Sequence, residues 1–174
     1  MLIEISIGEG LDRYSILEIK QKEITDASKQ VHITNELQSL SELITYKKTF
    51  HYYYELLLSV NTQIWNHTNT IKSMNPDDTG FATISHSIFE LNQSRFRLKN
   101  IMNQLSESHM QEQKSYGVTQ VEIELKDSDT IDLTILSTLS LQYDAVVIRC
   151  SKTKQMEFEK IVPRFHYIFL HEDK

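Results

Sequence analysis

Glycine and proline are scarce in this chain, and their placement limits what it can fold into. The 174 residues contain four glycines and two prolines: Gly8, Gly10, Gly80, Gly117, Pro76 and Pro163. Neither residue type occurs between Gly10 and Pro76, or between Gly80 and Gly117. Because glycine tolerates positive φ and proline cannot continue a helix, two long blocks without them favour long helices.

Apolar residues in these blocks recur at spacings of three and four, the pattern of helices that bury one face. A first helix is predicted at about residues 11–28, and a second and a third follow from Ile33. The sequence leaves open whether those two are continuous near Thr49. Residues 75–80 combine several turn formers and separate the third helix from a fourth at about residues 82–108. The blocks therefore predict an antiparallel helical bundle.

Strand-like patterns lie on either side of the bundle. Residues 2–7 predict a half-buried strand, because three isoleucines alternate there with polar residues. Residues 121–126 alternate in the same way, and residues 145–148 form a continuous apolar run. Residues 167–170 predict a last strand.

Two short helices are expected between the three later strands. Ser128-Asp129 is the predicted cap of the first, and Ser151 caps a second that ends before Pro163. The order strand, helix, strand, helix, strand suggests a small parallel sheet. Three strands make a thin sheet, so we expect it to pair with the N-terminal strand or with a second chain.

The expected fold class is α+β and mainly helical. An antiparallel helical bundle, preceded by one strand, occupies residues 1–117, and an appended β-α-β-α-β segment occupies residues 118–174.

Charge and composition argue against several classes of function. The net charge of −6 is spread along the chain without a basic stripe, so we expect no nucleic-acid partner. No stretch approaches the roughly 18 consecutive apolar residues of a membrane span, and no signal peptide is evident at the N-terminus. With Cys150 as its single cysteine, the chain cannot form an internal disulfide, which favours a cytoplasmic location.

The apolar stripe of the fourth helix is interrupted by Arg95. Position 95 falls at helical spacing within that stripe, whose members are Ile84, Ile88, Leu91, Leu98, Met102 and Leu105. A buried guanidinium keeps its charge and needs a carboxylate, a phosphate or several carbonyls as partners. Asn92 and Lys99 lie on neighbouring turns, so the pattern predicts a phosphate or carboxylate site between helices. The alternative is a structural ion pair with Asp12, Glu18 or another carboxylate of the first helix.

The start of the first helix supplies further candidates. Asp12 and Arg13 are expected to face Arg95 from the end of the apolar seam. The turn at residues 6–9, which includes Glu9, could add backbone amides directed at an anion.

Standard catalytic and metal-binding patterns do not occur in the sequence. The seven histidines include no pair at helical metal-ligand spacing, and one cysteine excludes a cysteine-based zinc site. A Gly-x-Ser-x-Gly elbow does not occur either. We therefore predict neither a metal nor a cofactor.

Several separated groups of residues match one family when they are taken together. They are 4–9, Asp12-Arg13, 15–20, Asn61, Ile64-Trp65, 87–89, Asn92, Arg95, Leu98-Lys99, Asn103, Glu112 and 114–116. Across about residues 3–117 the chain thus resembles a bacterial and viral family of uncharacterised small domains. These domains lie near, or are fused to, glycosyltransferase and polysaccharide-biosynthesis proteins. The resemblance implies a setting in glycan biosynthesis and adds Lys114 and Tyr116 to the candidate ligand-binding residues.

The chain departs from the family pattern at two places. Thr68-Asn69 stands where the family usually has Glu-Asp, which argues against an acid–base or metal role there. Gly10 stands where a bulkier residue is usual. Residues from Val118 onward fall outside the resemblance.

Three hypotheses follow. The first is a ligand-binding or accessory domain in glycan or nucleotide-sugar metabolism that holds an anionic group, such as a sugar phosphate or nucleotide sugar. Its site residues would be Glu9, Asp12, Arg13, Asn92, Arg95, Lys99, Lys114 and Tyr116. The second is a structural interaction module, a homodimeric helical bundle, in which carboxylates occupy Arg95. The third is a small enzyme whose base is Glu9, Asp12 or Glu18.

Overall fold

The computed structural model describes residues 4–110, 117–162 and 166–171. The chain divides into two compact units, Met1–Gln111 and Glu112–Lys174. The sequence placed this boundary after residue 117.

Five helices make up the described part of the first unit. They are α1 (Ile7–Glu23), α2 (Ala27–Ser39), α3 (Leu43–Thr49), α4 (His51–Lys72) and α5 (Phe81–Leu105). The chain is mainly helical, as predicted.

The N-terminal strand is a wrong prediction over residues 4–7, and residues 1–3 lie outside the described part. Ile7 already belongs to α1, and Ser6 is its N-cap, with its Oγ accepting from Glu9 N at 3.2 Å. The short alternation of isoleucines resembles a strand, but the capping serine directs the chain into a helix. Consequently α1 begins earlier than the predicted residue 11.

The helices between α1 and α5 are separated by short breaks. Asp26 caps α2 through its Oδ1, which accepts from Lys29 N at 3.1 Å, so this helix starts six residues before the predicted Ile33. Phe50, with φ −105° and ψ 30°, separates α3 from α4. The question left open near Thr49 is thereby answered: the helices there are not continuous.

The core of the first unit lies where α1 packs against both α4 and α5, the two helices of a hairpin. Leu11 of α1, Tyr54 and Leu57 of α4, and Leu98 and Met102 of α5 have no exposed surface. Between the hairpin helices, Gly80 opens α5 with φ 95°, a left-handed conformation that suits glycine.

The second unit has the predicted order of strands and helices. Its elements are β1 (Gln120–Leu125), α6 (Leu133–Gln142), β2 (Ala145–Cys150), α7 (Lys152–Ile161) and β3 (Tyr167–Leu170). The strands form a parallel sheet in the order β1-β2-β3, with Val121 opposite Val146, and Val146 opposite Tyr167. Within the described ranges, no N-terminal strand joins this sheet.

Of the two helix caps predicted for this unit, one is confirmed and the other is wrong. Ser151 caps α7 as expected, its Oγ accepting from Lys154 N at 3.0 Å. The cap of α6 is Asp132, which accepts from Thr134 N at 2.8 Å, so the prediction of Ser128-Asp129 is wrong. Asp132 is the cap because it directly precedes the first helical residue, Leu133.

Candidate functional site

The first turn of α1 is held directly against α5. Gly8 N donates to Asn103 Oδ1 at 2.6 Å, and Asn103 is only 1% exposed. A Cβ on Gly8 would lie 2.3 Å from the backbone oxygen of Lys99, so the two helices approach too closely here for any side chain.

This contact changes the predicted role of the turn at residues 6–9. Its amides were expected to face an anion. In the structure Gly8 N donates to Asn103 and Glu9 N donates to Ser6 Oγ. These side chains satisfy helix N–H groups that would otherwise be available to a ligand, so the turn serves packing.

Asp12 and Arg95 meet as the sequence suggested. Arg95 Nε donates to Asp12 Oδ1 at 2.8 Å, and Arg95 Nη2 donates to Asp12 Oδ2 at 2.5 Å. The side chain of Asp12 is 1% exposed and that of Arg95 is 27% exposed. This two-point geometry is the strongest form of a charge-assisted hydrogen bond between these side chains.

Two further side chains complete the surroundings of Asp12. Asn61 Nδ2 donates to Asp12 Oδ1 at 2.9 Å and to Ser15 Oγ at 2.7 Å. Ser15 Oγ in turn donates to the Asp12 carbonyl at 2.8 Å. We call Asp12, Ser15, Asn61 and Arg95 the buried polar cluster. It joins α1, α4 and α5 at one point.

Glu9 and Lys99 form a second link between α1 and α5. Their Nζ–Oε2 distance is 2.9 Å, with Lys99 13% and Glu9 49% exposed. Both were predicted ligand-binding residues, and the structure pairs them with each other.

The remaining predicted site residues lie elsewhere. Arg13 points to the surface and pairs with Glu36 of α2 at 3.0 Å, with the Arg13 side chain 61% exposed. Asn92 Nδ2 donates to the Ile88 carbonyl of its own helix at 2.8 Å. Lys114 and Tyr116 lie outside the described residues.

A second group of polar contacts, which the sequence did not reveal, fastens α1 to α3 and α4. Glu18 accepts from Lys47 Nζ at 2.6 Å and from the Tyr54 hydroxyl at 2.5 Å. Lys47 Nζ also lies over the Tyr54 ring, 4.7 Å from its centroid. Burial, with the hydrogen bond to Glu18, raises the pKa of Tyr54 well above its ordinary value.

The second unit carries a crevice of about 240 Å³ where β1 and β2 end. It is lined by Glu124, Leu125, Lys126, Asp127, Arg149, Cys150 and Ser151. Ser151 Oγ donates to Asp127 Oδ1 at 2.5 Å, and Arg149 Nη2 pairs with Glu122 at 2.7 Å. Burial raises the pKa of the Cys150 thiol, which keeps it protonated and unreactive. Three polar side chains of the crevice are thus engaged within the unit: Ser151 with Asp127, and Arg149 with Glu122 of β1.

Among residues 4–110, 117–162 and 166–171, no three histidine, cysteine, aspartate or glutamate side chains cluster as metal ligands. No helix in the same ranges is long and apolar enough to cross a membrane.

The fold and the site define a class: a mainly helical α+β protein in which polar side chains of three helices converge on a buried ion pair. The chain matches DUF6165, a family of unknown function, over residues 1–124, and it belongs to that family. The match runs past the helical unit and includes most of β1 (Gln120–Leu125). No curated protein and no solved structure matches the chain.

Proposed function

We propose that the helical unit is a protein-interaction module with an accessory role, and that its polar positions hold the helices in register. The observation that supports this most strongly is the closure of Arg95 on Asp12. Nε and Nη2 of the guanidinium both donate to one buried carboxylate. An anionic ligand at that position would have to displace a carboxylate that is itself 1% exposed.

The three carboxylates that were candidate catalytic bases are all held in ion pairs. Glu9 contacts Lys99, Asp12 contacts Arg95, and Glu18 contacts Lys47. A general base has to reach the proton of a substrate, and each of these side chains is instead engaged by a cation. The proposal of an enzyme is therefore less well supported than that of a binding module.

Two finer parts of the proposal have separate grounds. The setting in glycan or nucleotide-sugar metabolism rests on the family resemblance alone, and a location in the cytoplasm rests on the single cysteine, Cys150. We keep an anion-binding domain for sugar phosphates or nucleotide sugars as the competing proposal, because 27% of the Arg95 side chain is exposed to solvent.

Ligand-dependent stability separates the two proposals. A ligand that binds only the native state raises the melting temperature. We expect no rise with inorganic phosphate, a hexose 1-phosphate or a nucleotide sugar at about 100 times a plausible Kd. A ligand that bound at this concentration would raise the free energy of unfolding by roughly 2.7 kcal/mol.

A double variant supplies the control. Asp12→Leu/Arg95→Met removes both charges and keeps the volume, so it should fold without a buried unpaired charge. A melting-temperature rise in the wild type that this variant abolishes would overturn our proposal in favour of the anion site.

A further inference from the structure

Helix α2 contributes little to the core of the first unit. Ile33 is buried, with 6% of its surface exposed, Gln30 and Leu37 are partly exposed, and every other residue of the helix is exposed. Helical spacing places Gln30, Ile33 and Leu37 on one side of α2, so the helix is attached along one narrow stripe. Helices in proteins are stabilised mainly by burying an apolar face, and α2 buries little of its own.

The polar contacts between α2 and α1 lie near the two ends of α2. Gln30 Nε2 donates to the Gln21 carbonyl at 2.8 Å and to the Ile24 carbonyl. Glu36 pairs with Arg13 at 3.0 Å, with the two side chains 49% and 61% exposed. Ion pairs this open to water contribute little to stability. The polar contacts therefore orient α2 on α1 but do not compensate for its small apolar contact.

The next helix, α3, is attached more firmly although it is shorter. Lys47 Nζ lies 2.6 Å from Glu18 Oε1, and these side chains are only 27% and 28% exposed. Leu43 of α3 also lies against Gly10 of α1. A partly buried ion pair is screened by water and salt less than an exposed one. The weakly attached segment therefore ends between α2 and α3.

The backbone on either side of α2 is not helical. Ile24 (φ −96°, ψ 119°) and Asp26 (φ −66°, ψ 118°) are extended, and Leu40 (φ −101°, ψ 13°) interrupts the helix at its other end. Residues at the ends of elements are the ones that absorb the dihedral changes of hinge motions. Helix α2 can thus move away from α1 while both neighbouring helices keep their own hydrogen bonds.

We propose that α2 is a detachable cover, which leaves α1 and loses its helical structure while α1, α3, α4 and α5 remain folded. Isolated helices of about this length are marginal in water, so α2 unwinds once it has lost contact with α1. Local opening of this kind is expected where a segment has few buried apolar contacts and an exposed backbone.

Opening changes the surface of α1. Arg13 is released from Glu36, and the side of α1 on which Leu17 lies, one turn after Arg13, is uncovered. In the closed form Leu17 is 3% exposed. The proposed interaction module thereby gains a basic and apolar surface that is accessible only in the open form, although the opening itself does not depend on that function.

Amide hydrogen exchange of the full chain, followed residue by residue by NMR, tests the opening directly. The amides of Ile33 and Leu37 should be at least about a hundredfold less protected than those of Leu57 and Val60, buried residues of α4. Urea below the unfolding transition should accelerate the α4 amides steeply and the α2 amides much less, because local opening exposes less surface than global unfolding. Equal protection and equal urea dependence in the two helices would overturn the inference.

Two matched cap variants separate local from global opening. Ser6→Ala removes the side-chain cap of α1, and Asp26→Ala removes that of α2. Loss of a cap destabilises the folded protein, so Ser6→Ala should accelerate the α4 amides, which exchange through global unfolding, about fivefold. It should leave the α2 amides unchanged, because the first turn of α1 stays folded when α2 opens. Asp26→Ala should accelerate the α2 amides about fivefold, which shows that they respond to a lost cap.

The contrary result is equally clear. If Ser6→Ala accelerated the α2 and α4 amides by the same factor, α2 would open only when the whole unit unfolds, and the detachable cover would be wrong. The proposed function, tested by ligand-dependent stability and by the Asp12→Leu/Arg95→Met variant, would stand unaffected.

Discussion

The carboxylate of Asp12 and the guanidinium of Arg95 form a two-point ion pair between residues 83 positions apart in the chain. Asp12 lies in the first turns of α1, and Arg95 lies in α5 where the buried part of that helix begins. The pair fixes the position at which the two helices cross. It is supported by Asn61 from α4, which donates to the same carboxylate.

We expect Arg95→Ala to lower the free energy of unfolding by about 3–5 kcal/mol, because the buried Asp12 carboxylate loses its cation. Asp12→Leu/Arg95→Met should recover most of that loss. Urea denaturation followed by Trp65 fluorescence measures both, since the tryptophan reports on the helical unit.

Arg13→Ala is the matched control for this pair. It removes an arginine next to Asp12 whose ion pair with Glu36 is exposed to solvent. Such pairs contribute about 0–1 kcal/mol. A loss from Arg13→Ala as large as that from Arg95→Ala would contradict the structural role assigned to the buried pair.

The sequence was informative about Arg95 because a charge within an apolar stripe is visible along a single helix. It also named Asp12 as an alternative partner. It could not show that Arg13, the neighbour of Asp12, turns away to Glu36, since that depends on how α1 crosses the other helices. Ser15 and Asn61 were also missed as members of the cluster, because short polar side chains are common on half-exposed helix faces.

Two local sequence patterns, one at the N-terminus and one at Gly8, led to predictions that the structure does not bear out. The isoleucine alternation favoured a strand, whereas Ser6 provides the cap of α1. Gly8 looked like a turn residue, but its role is to let α1 approach the backbone of Lys99. Only the packed helices reveal that approach, so no pattern within one segment could have predicted it.

Gly8→Ala should destabilise the protein and Gly10→Ala should not, although the two residues share one helical turn. A Cβ at Gly8 would meet the Lys99 backbone oxygen at 2.3 Å, and backbone cannot rotate away. We expect a loss of about 1–3 kcal/mol or more. A Cβ at Gly10 would meet Leu43 Cδ1 at 2.9 Å, the end of a side chain that can adjust.

For Gly10→Ala we expect unchanged stability or a gain of up to about 1 kcal/mol, from the higher helix propensity of alanine. Thermal unfolding of the two variants beside the wild type makes the comparison. Equal melting temperatures for Gly8→Ala and the wild type would mean that α1 and α5 do not approach as closely as described.

Asn103 and Asn92 give a second matched comparison, on a single helix. Asn103→Ala leaves the buried Gly8 N–H without its acceptor, so we expect a loss of about 1–3 kcal/mol. Asn92 donates to the carbonyl of Ile88 in its own helix, and Asn92→Ala should be neutral or slightly stabilising. Urea denaturation measures both changes. A loss from Asn92→Ala as large as that from Asn103→Ala would contradict the contrast drawn between these two side chains.

The hydroxyl of Tyr54 should make stability depend on alkaline pH. Burial, with the hydrogen bond to Glu18, raises its pKa above the ordinary value of 10.0, so the folded protein keeps a proton that the unfolded chain releases. The stabilisation is therefore complete below pH 10 and declines as the pH rises above it, by about 1.4 kcal/mol per pH unit. Tyr54→Phe removes this decline. We expect the stability difference between wild type and Tyr54→Phe to be constant from about pH 6 to 8 and to shrink between about pH 10 and 11. A difference that stays constant through pH 11 would show that Tyr54 ionises equally in both states.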